Sequence, residues 1–207
     1  MLNSKNQNKD RLESIYNDYI AGHLQANNFY QRLILYSSIN NTFQFDVENK
    51  KVLFDRIDSL DRELLDRIVA NGIKTDSLLI FEKKPIDNQS NPTLIIADKT
   101  VDNKGNIVVV MLEISMKPID QIMFEDNPLN GLGETGEAYI VGLDLLMRSN
   151  SRFQRNAVYS TVVSTEAVQL AFNDTIGERK INDYRNVLVL SSFGRIKRGN
   201  IDWAILG

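Results

Sequence analysis

The stretch TLIIADKTVDNKGNIVVVMLEIS, Thr93 to Ser115, decides the fold. Two runs rich in β-branched residues, Thr93 to Val101 and Asn106 to Ser115, flank DNKG, a turn sequence of Asp, Asn and Gly. A link that short joins strands antiparallel, because a parallel partner needs a crossover of a dozen residues or more. Upstream, SLLIFE (Ser77 to Glu82) adds a third strand across a segment containing DNQSNP, so the three read as consecutive antiparallel strands. Before them Leu60, Leu64, Leu65, Ile68 and Val69 recur at helical spacing, with Asp58 or Ser59 as N-cap and Gly72 just past the end. Earlier still, Leu12, Ile15, Tyr19, Gly22, Ala26, Phe29, Leu33 and Tyr36 stand three and four apart, and no proline precedes Pro85. This spacing predicts one long helix over Leu12 to Tyr36, about 36 Å at 1.5 Å per residue.

Downstream of the meander, Lys117 to Met123 reads as a short helix with Pro118 in its first turn, where the missing N–H costs nothing. EDNPLNGLGETG, Glu125 to Gly136, is rich in Gly, Asn and Pro and is the best candidate for a domain junction. After it the order repeats: strands GEAYIVG and LLMRS, a helix around Ser164 to Phe172, then strands near Asn186 to Phe193 and Ile201 to Leu206 joined by RIKRGN. Helices and uninterrupted meanders in succession give an α+β chain with antiparallel sheets.

Composition narrows the function. The 207 residues are 43% hydrophobic and 25% charged, the balance of a chain that buries a core. A formal charge of -3 lacks the basic footprint that phosphate-backbone binding needs, so nucleic acid is not an expected partner. There is no cysteine and only one histidine, His23, which removes thiol nucleophiles, disulfides, Cys/His zinc sites and histidine-based triads. No run of about 18 apolar residues is present.

Most motifs have structural explanations. Gly131, Gly133 and Gly136 spell G-x-G-x-x-G, but a dinucleotide site needs a strand before and a helix after, and here the order is reversed. The acidic pairs Asp58 with Asp61 and Glu125 with Asp126 fit cap and loop positions. MRSNSRF, Met147 to Phe153, is more informative: Arg148, Ser149, Ser151 and Arg152 follow a strand directly and suit a carboxylate or phosphate, or salt bridges to Glu134, Asp144 or Asp183.

The segments GLGETGEAYIVGLDLLMRSNSRF (Gly131 to Phe153), STEAVQLAF (Ser164 to Phe172), INDYRNVLVLSSFGRI (Ile181 to Ile196) and NIDWAILG (Asn200 to Gly207) resemble the Cache-type, PAS-like sensor region of bacterial transmembrane receptors. NPTLIIADKTVDNKGNIVVVMLEISMKPIDQIM resembles the end of that family's membrane-distal module. The resemblance implies a long N-terminal helix (residues 1–37) followed by two PAS-like modules with antiparallel sheets, membrane-distal at 38–125 and membrane-proximal at 126–207. It also implies an extracytoplasmic location, transmembrane helices just outside both ends, no cofactor, and an effector such as a histidine kinase, cyclase or chemotaxis domain elsewhere. The implied function is to sense a small metabolite, with anionic character expected from the arginines, and to pair weakly with a second copy through the first helix. A ligand-free relay module and a hydrolase are the competing classes. Pocket positions expected from inward strand sites and loop tips are Phe81, Ile95 and Asp98 in the first module and Tyr139, Arg148, Ser149, Arg152, Tyr184 and Ser191 in the second. Two departures stand out: Leu145 occupies a place where many relatives carry glycine, and the arginine, tryptophan, tyrosine and aspartate set of amino-acid-binding Cache domains is not recognisable, the sole tryptophan being Trp203.

Overall fold

The computed structural model describes residues 10–11, 13–37, 41–47, 51–54, 59–70, 78–85, 91–124 and 131–207. The chain divides into two compact units, Met1–Ser115 and Met116–Gly207.

The first unit is built on a six-stranded antiparallel sheet. Its strands are β1 (Tyr30–Ser37), β2 (Asn41–Asp46), β3 (Lys51–Phe54), β4 (Leu79–Lys83), β5 (Thr93–Val101) and β6 (Ile107–Ser115), in the spatial order β3-β2-β1-β6-β5-β4. The hairpin expected from DNKG is present: Thr93 pairs with Ser115 and Val101 with Ile107. Asp102 closes it by accepting N–H bonds from Lys104 and Asn106 at 2.8 and 2.9 Å. These bonds, together with that from the Asn106 side-chain amide, hold its carboxyl below the ordinary range. β4 joins as the third strand, and the helix expected around Leu60 to Val69 is α2, Ser59–Ala70.

The first helix ends well short of the Tyr36 that its spacing predicts. A π-helical turn, Tyr16–Ile20, leads into α1, Ala21–Gln25, and the helix stops there. Phe29, Leu33 and Tyr36, placed on it by their spacing, lie in or beside β1, which pairs with β2 on one edge and β6 on the other. Asn27 and Asn28 favour a turn, and YQRLILYS is a run of strand formers buried on both faces. Leu33, Ile34, Leu35 and Tyr36 are apolar in succession, so a helical subset can be picked out of the run. Leu33 packs with Ala21, Leu24 and Phe45 on one face, while its neighbour Ile34 packs with Leu65, Ile68 and Met111 of the α2 side on the other. Leu12, Asp58 and Gly72 lie outside the described residues.

One end of the α2-covered face is charged rather than apolar. Asp61 of α2 accepts from Arg32 of β1 at 2.7 Å and from Lys83 of β4 at 2.8 Å. Glu113 of β6 meets Arg32 and accepts from Thr93 at 2.7 Å, with Lys83 at 3.8 Å. Asp61, Lys83, Thr93 and Glu113 are all buried, and the two acids balance the two bases.

The second unit carries a four-stranded antiparallel sheet of β7 (Tyr139–Gly142), β8 (Gly177–Asn182), β9 (Leu188–Arg198) and β10 (Ile201–Leu206), in the order β7-β10-β9-β8. α3 (Lys117–Met123) opens the unit, with proline near its start, and α4 (Glu166–Phe172) packs on one sheet face. Thr165 caps α4 by accepting the Val168 N–H. Ala167, Val168 and Ala171 of α4 meet Val141, Phe193, Ala204 and Leu206 in the core. LLMRS is not a strand but forms isolated bridges, Val141 to Met147 and Leu146 to Val162. RIKRGN mostly extends β9, leaving only Gly199 and Asn200 as the turn. β8 has no counterpart among the expected strands, because its GERKI run is charged and mostly exposed. The G-x-G-x-x-G residues form a turn, with φ of 98° at Gly131 and 59° at Gly133. Leu145 also has positive φ, 62°, a conformation that glycine adopts far more readily than leucine. Its packing against the core offsets that strain.

Removing one acid from the first unit's charged cluster should be costly, because buried bases lose their counter-charge. Asp61→Ala is expected to lower unfolding free energy by about 3–5 kcal/mol. Urea unfolding followed by circular dichroism measures this; a loss below about 1 kcal/mol would show the cluster to be energetically idle.

Candidate functional site

A cavity of about 490 Å³ lies in the second unit. Its walls come from the segment leading into β7 (Thr135 to Tyr139), from Phe153, from the β8–β9 hairpin and from the start of β9. The volume is within the range of small-molecule sites.

The hairpin holds its shape through Asp183. One carboxylate oxygen accepts the N–H groups of Arg185 and Val187 at 2.8 and 2.9 Å, and the other receives the Arg185 guanidinium at 2.8 Å from Nε and 2.6 Å from Nη2. Burial pushes the Asp183 carboxyl up, but these bonds outweigh it and leave the group below its ordinary value. The same contacts fix Arg185, whose guanidinium lies 3.9 Å over the Phe153 ring.

Glu137 sits opposite, two residues before β7. Ser151 donates to its Oε2, and the Tyr184 hydroxyl reaches the same oxygen at 3.3 Å. Ser151 and Tyr184 are themselves 2.6 Å apart, and with the Ser151 proton given to Glu137 the single Tyr184 hydrogen is shared between Ser151 Oγ and Glu137 Oε2. The nearest cation is Arg185, with Nη2 3.7 Å from Oε1. Loss of water around Glu137 pushes its carboxyl pKa up, and the Ser151, Arg185 and Tyr184 contacts only partly compensate. Tyr139, packed edge-on against Tyr184 at 5.4 Å, is pushed up as well, first by burial and then by the nearby Glu137 charge.

The residues expected from sequence are distributed over both units. Tyr139 and Ser191 line the large cavity, and Tyr184 stands behind Glu137. Arg148 is buried under β7, donating to Asp144 at 2.9 Å and to the Leu146 carbonyl at 2.8 Å, and lies 4.4 Å over the Tyr159 ring. Its guanidinium fills the space beside Gly142, where an added Cβ would come within 2.1 Å. Ser149 accepts the Ile140 N–H at 3.1 Å, and Arg152 donates to the Gly133 carbonyl at 2.8 Å. Neither arginine lines the cavity. In the first unit Phe81 and Ile95 border a recess of about 90 Å³, and Asp98 is exposed with its carboxylate on the Lys99 N–H. Glu137, Asp183 and Arg185 were not anticipated as pocket residues. The available signal was the i, i+2 spacing of Glu137 and Tyr139, which puts both on one side of a strand entrance.

No protein-family model and no curated protein matches the sequence. Solved structures do. The periplasmic sensory domain of the Campylobacter jejuni chemoreceptor Tlp1 is similar with a TM-score of 0.65 at 12% identity, over 95% of this chain and 76% of that one. The fold is shared with bacterial sensory domains. A domain of a Vibrio parahaemolyticus protein assigned to the sensory box/GGDEF family gives 0.62 at 10% identity, over 94% and 77% of the two chains. The ligand-binding domain of the Pseudomonas aeruginosa PAO1 amino-acid chemoreceptor PctB, in complex with L-Gln, gives 0.56 at 15% identity, over 95% and 73%. These neighbours are sensory rather than catalytic domains. Among the described residues no cluster of three or more His, Asp or Glu is placed to hold a metal, and no helix is long and apolar enough to cross a membrane.

A carboxyl whose pKa is higher folded than unfolded favours the native state while protonated, and that contribution is lost as pH rises through the folded value. Glu137→Gln removes the titration. Relative to the parent, the variant should gain stability as pH rises from 4 to 8; denaturant midpoints across this window test it, and a difference that shrinks with rising pH would contradict the assigned direction.

Proposed function

We propose that the chain is the extracytoplasmic sensing domain of a bacterial transmembrane receptor, and that its two units are PAS-like modules, membrane-distal and membrane-proximal. The observation carrying this reading is the cavity in a fold shared with bacterial sensory domains: a pocket of about 490 Å³ with charged, hydroxyl and apolar walls. Two of the similar domains were solved with small molecules bound, PctB with L-Gln and PctC of Pseudomonas aeruginosa with GABA. A small polar metabolite of that scale suits the second unit's cavity. The first unit's recess, at about 90 Å³, has room for little more than a few water molecules.

Signalling follows from what the cavity walls are attached to. Glu137 and Tyr139 lead into β7, while Arg185 and Ser191 belong to the β8–β9 hairpin and β9. β7 and β9 are both paired to β10, the last strand. A ligand bridging these walls changes the relative free energy of two sheet positions, and the response is set by its differential affinity for them.

A thermal-melt screen with amino acids, amines, carboxylates and nucleosides tests the reading. One class should raise the melting temperature, since a ligand at one hundred times Kd adds about 2.7 kcal/mol to stability. Ser191→Leu, which replaces a hydroxyl of the cavity wall with a larger apolar side chain, should reduce or abolish the rise; a response that survives intact would place binding elsewhere.

A further inference from the structure

We infer that the cavity of the second unit takes a small molecule bearing a protonated amine, with Glu137 as counter-charge and the hydroxyls of Tyr139 and Ser191 beside it; this rests on the ligand-binding reading above. All three side chains line the cavity, yet the residues are only 9%, 5% and 5% exposed. Among the described residues neither the Tyr139 hydroxyl nor the Ser191 hydroxyl makes a hydrogen bond. Glu137 is satisfied on one oxygen only: Oε2 holds Ser151 and Tyr184, whereas Oε1 faces Arg185 at 3.7 Å, beyond hydrogen-bond length. The Tyr139 and Ser191 hydroxyls and Glu137 Oε1 therefore open on one cavity with bonding capacity to spare, and a few polar groups converging on a partly apolar pocket are positions for a ligand's polar atoms.

The sign of the charge follows from the walls. The side chains lining the cavity include two carboxylates, Glu137 and Asp183, and one guanidinium, Arg185. Arg185 is held by Asp183 through bonds of 2.8 and 2.6 Å and stacked on Phe153, so Asp183 already neutralises it. The remaining charge is that of Glu137. A carboxylate ligand would meet the like charge of Glu137 in a partly desolvated place, whereas an ammonium supplies donors to Oε1 and to both hydroxyl oxygens. Burial also raises the Glu137 pKa, and an ammonium at Oε1 would reverse that shift, which adds to its affinity. Phe153, Val189 and Leu190 leave apolar wall for the carbon skeleton.

Isothermal titration at pH 8 with ethanolamine, putrescine, agmatine and tyramine as one arm, acetate, succinate and citrate as a second, and glycerol as a neutral control tests the inference. At least one amine should bind and no carboxylate should. Glu137→Gln should weaken that amine by at least tenfold and Tyr139→Phe by severalfold, with both variants melting cooperatively. If Glu137→Gln does not fold, Tyr139→Phe, which removes a single oxygen, decides. Amine binding unchanged in Tyr139→Phe and Glu137→Gln overturns the inference. So does a carboxylate that binds where amines fail, and that result leaves the sensor reading standing. Silence in every arm here overturns the amine; silence in the broader melt screen as well removes the sensor reading with it.

Discussion

A carboxylate taken out of water must have its oxygens met, and each unit of this chain is organised around that requirement. In the first unit Asp61 and Glu113 stand between Arg32, Lys83 and Thr93, and the account closes: two acids, two bases and a hydroxyl. The cluster ties α2 to four strands at one end of the sheet. In the second unit the same requirement is met for Asp183 by its own hairpin but only half met for Glu137. The open Glu137 oxygen is the feature that the proposed ligand site uses.

The cavity depends on rigid surroundings. Ser151 braces Glu137 and also accepts the N–H groups of Phe153 and Gln154, so the turn after Arg148 and the carboxylate are fixed together. Arg148 is part of the same support rather than of the cavity: its guanidinium lies under Gly142, bonded to Asp144 and to the turn carbonyl of Leu146. The serine and arginine density of MRSNSRF is therefore used in two ways. Arg148 and Ser149 hold β7, and Ser151 holds the acid that faces the void.

Local patterns in the sequence carried the elements whose neighbours are close in the chain. β5, β6 and α3 follow from turn chemistry, β-branched runs and proline placement, and the α+β class follows from them. The first helix was overextended because β1 is buried on both faces and so has no alternation to announce it. β8 was invisible because an edge strand with a charged, exposed surface looks like a loop. The charged cluster could not be read at all, since Arg32 and Glu113 are 81 positions apart and meet only through the pairing of β1 with β6. Within the candidate site, Tyr139 and Ser191 were accessible as inward strand positions. Glu137 and the Asp183–Arg185 pair were not, because a carboxylate's value depends on whether its neighbours leave an oxygen open.

The central claim is that the second unit's cavity is where a small molecule is received. Amide chemical-shift mapping by nuclear magnetic resonance, with a compound that raises the melting temperature, measures this directly. The largest shifts should fall on Glu137, Tyr139, Arg185 and Ser191 and their neighbours in β7 and β9. Shifts concentrated instead on Arg67, Phe81 and Ile95 around the first unit's recess would contradict it.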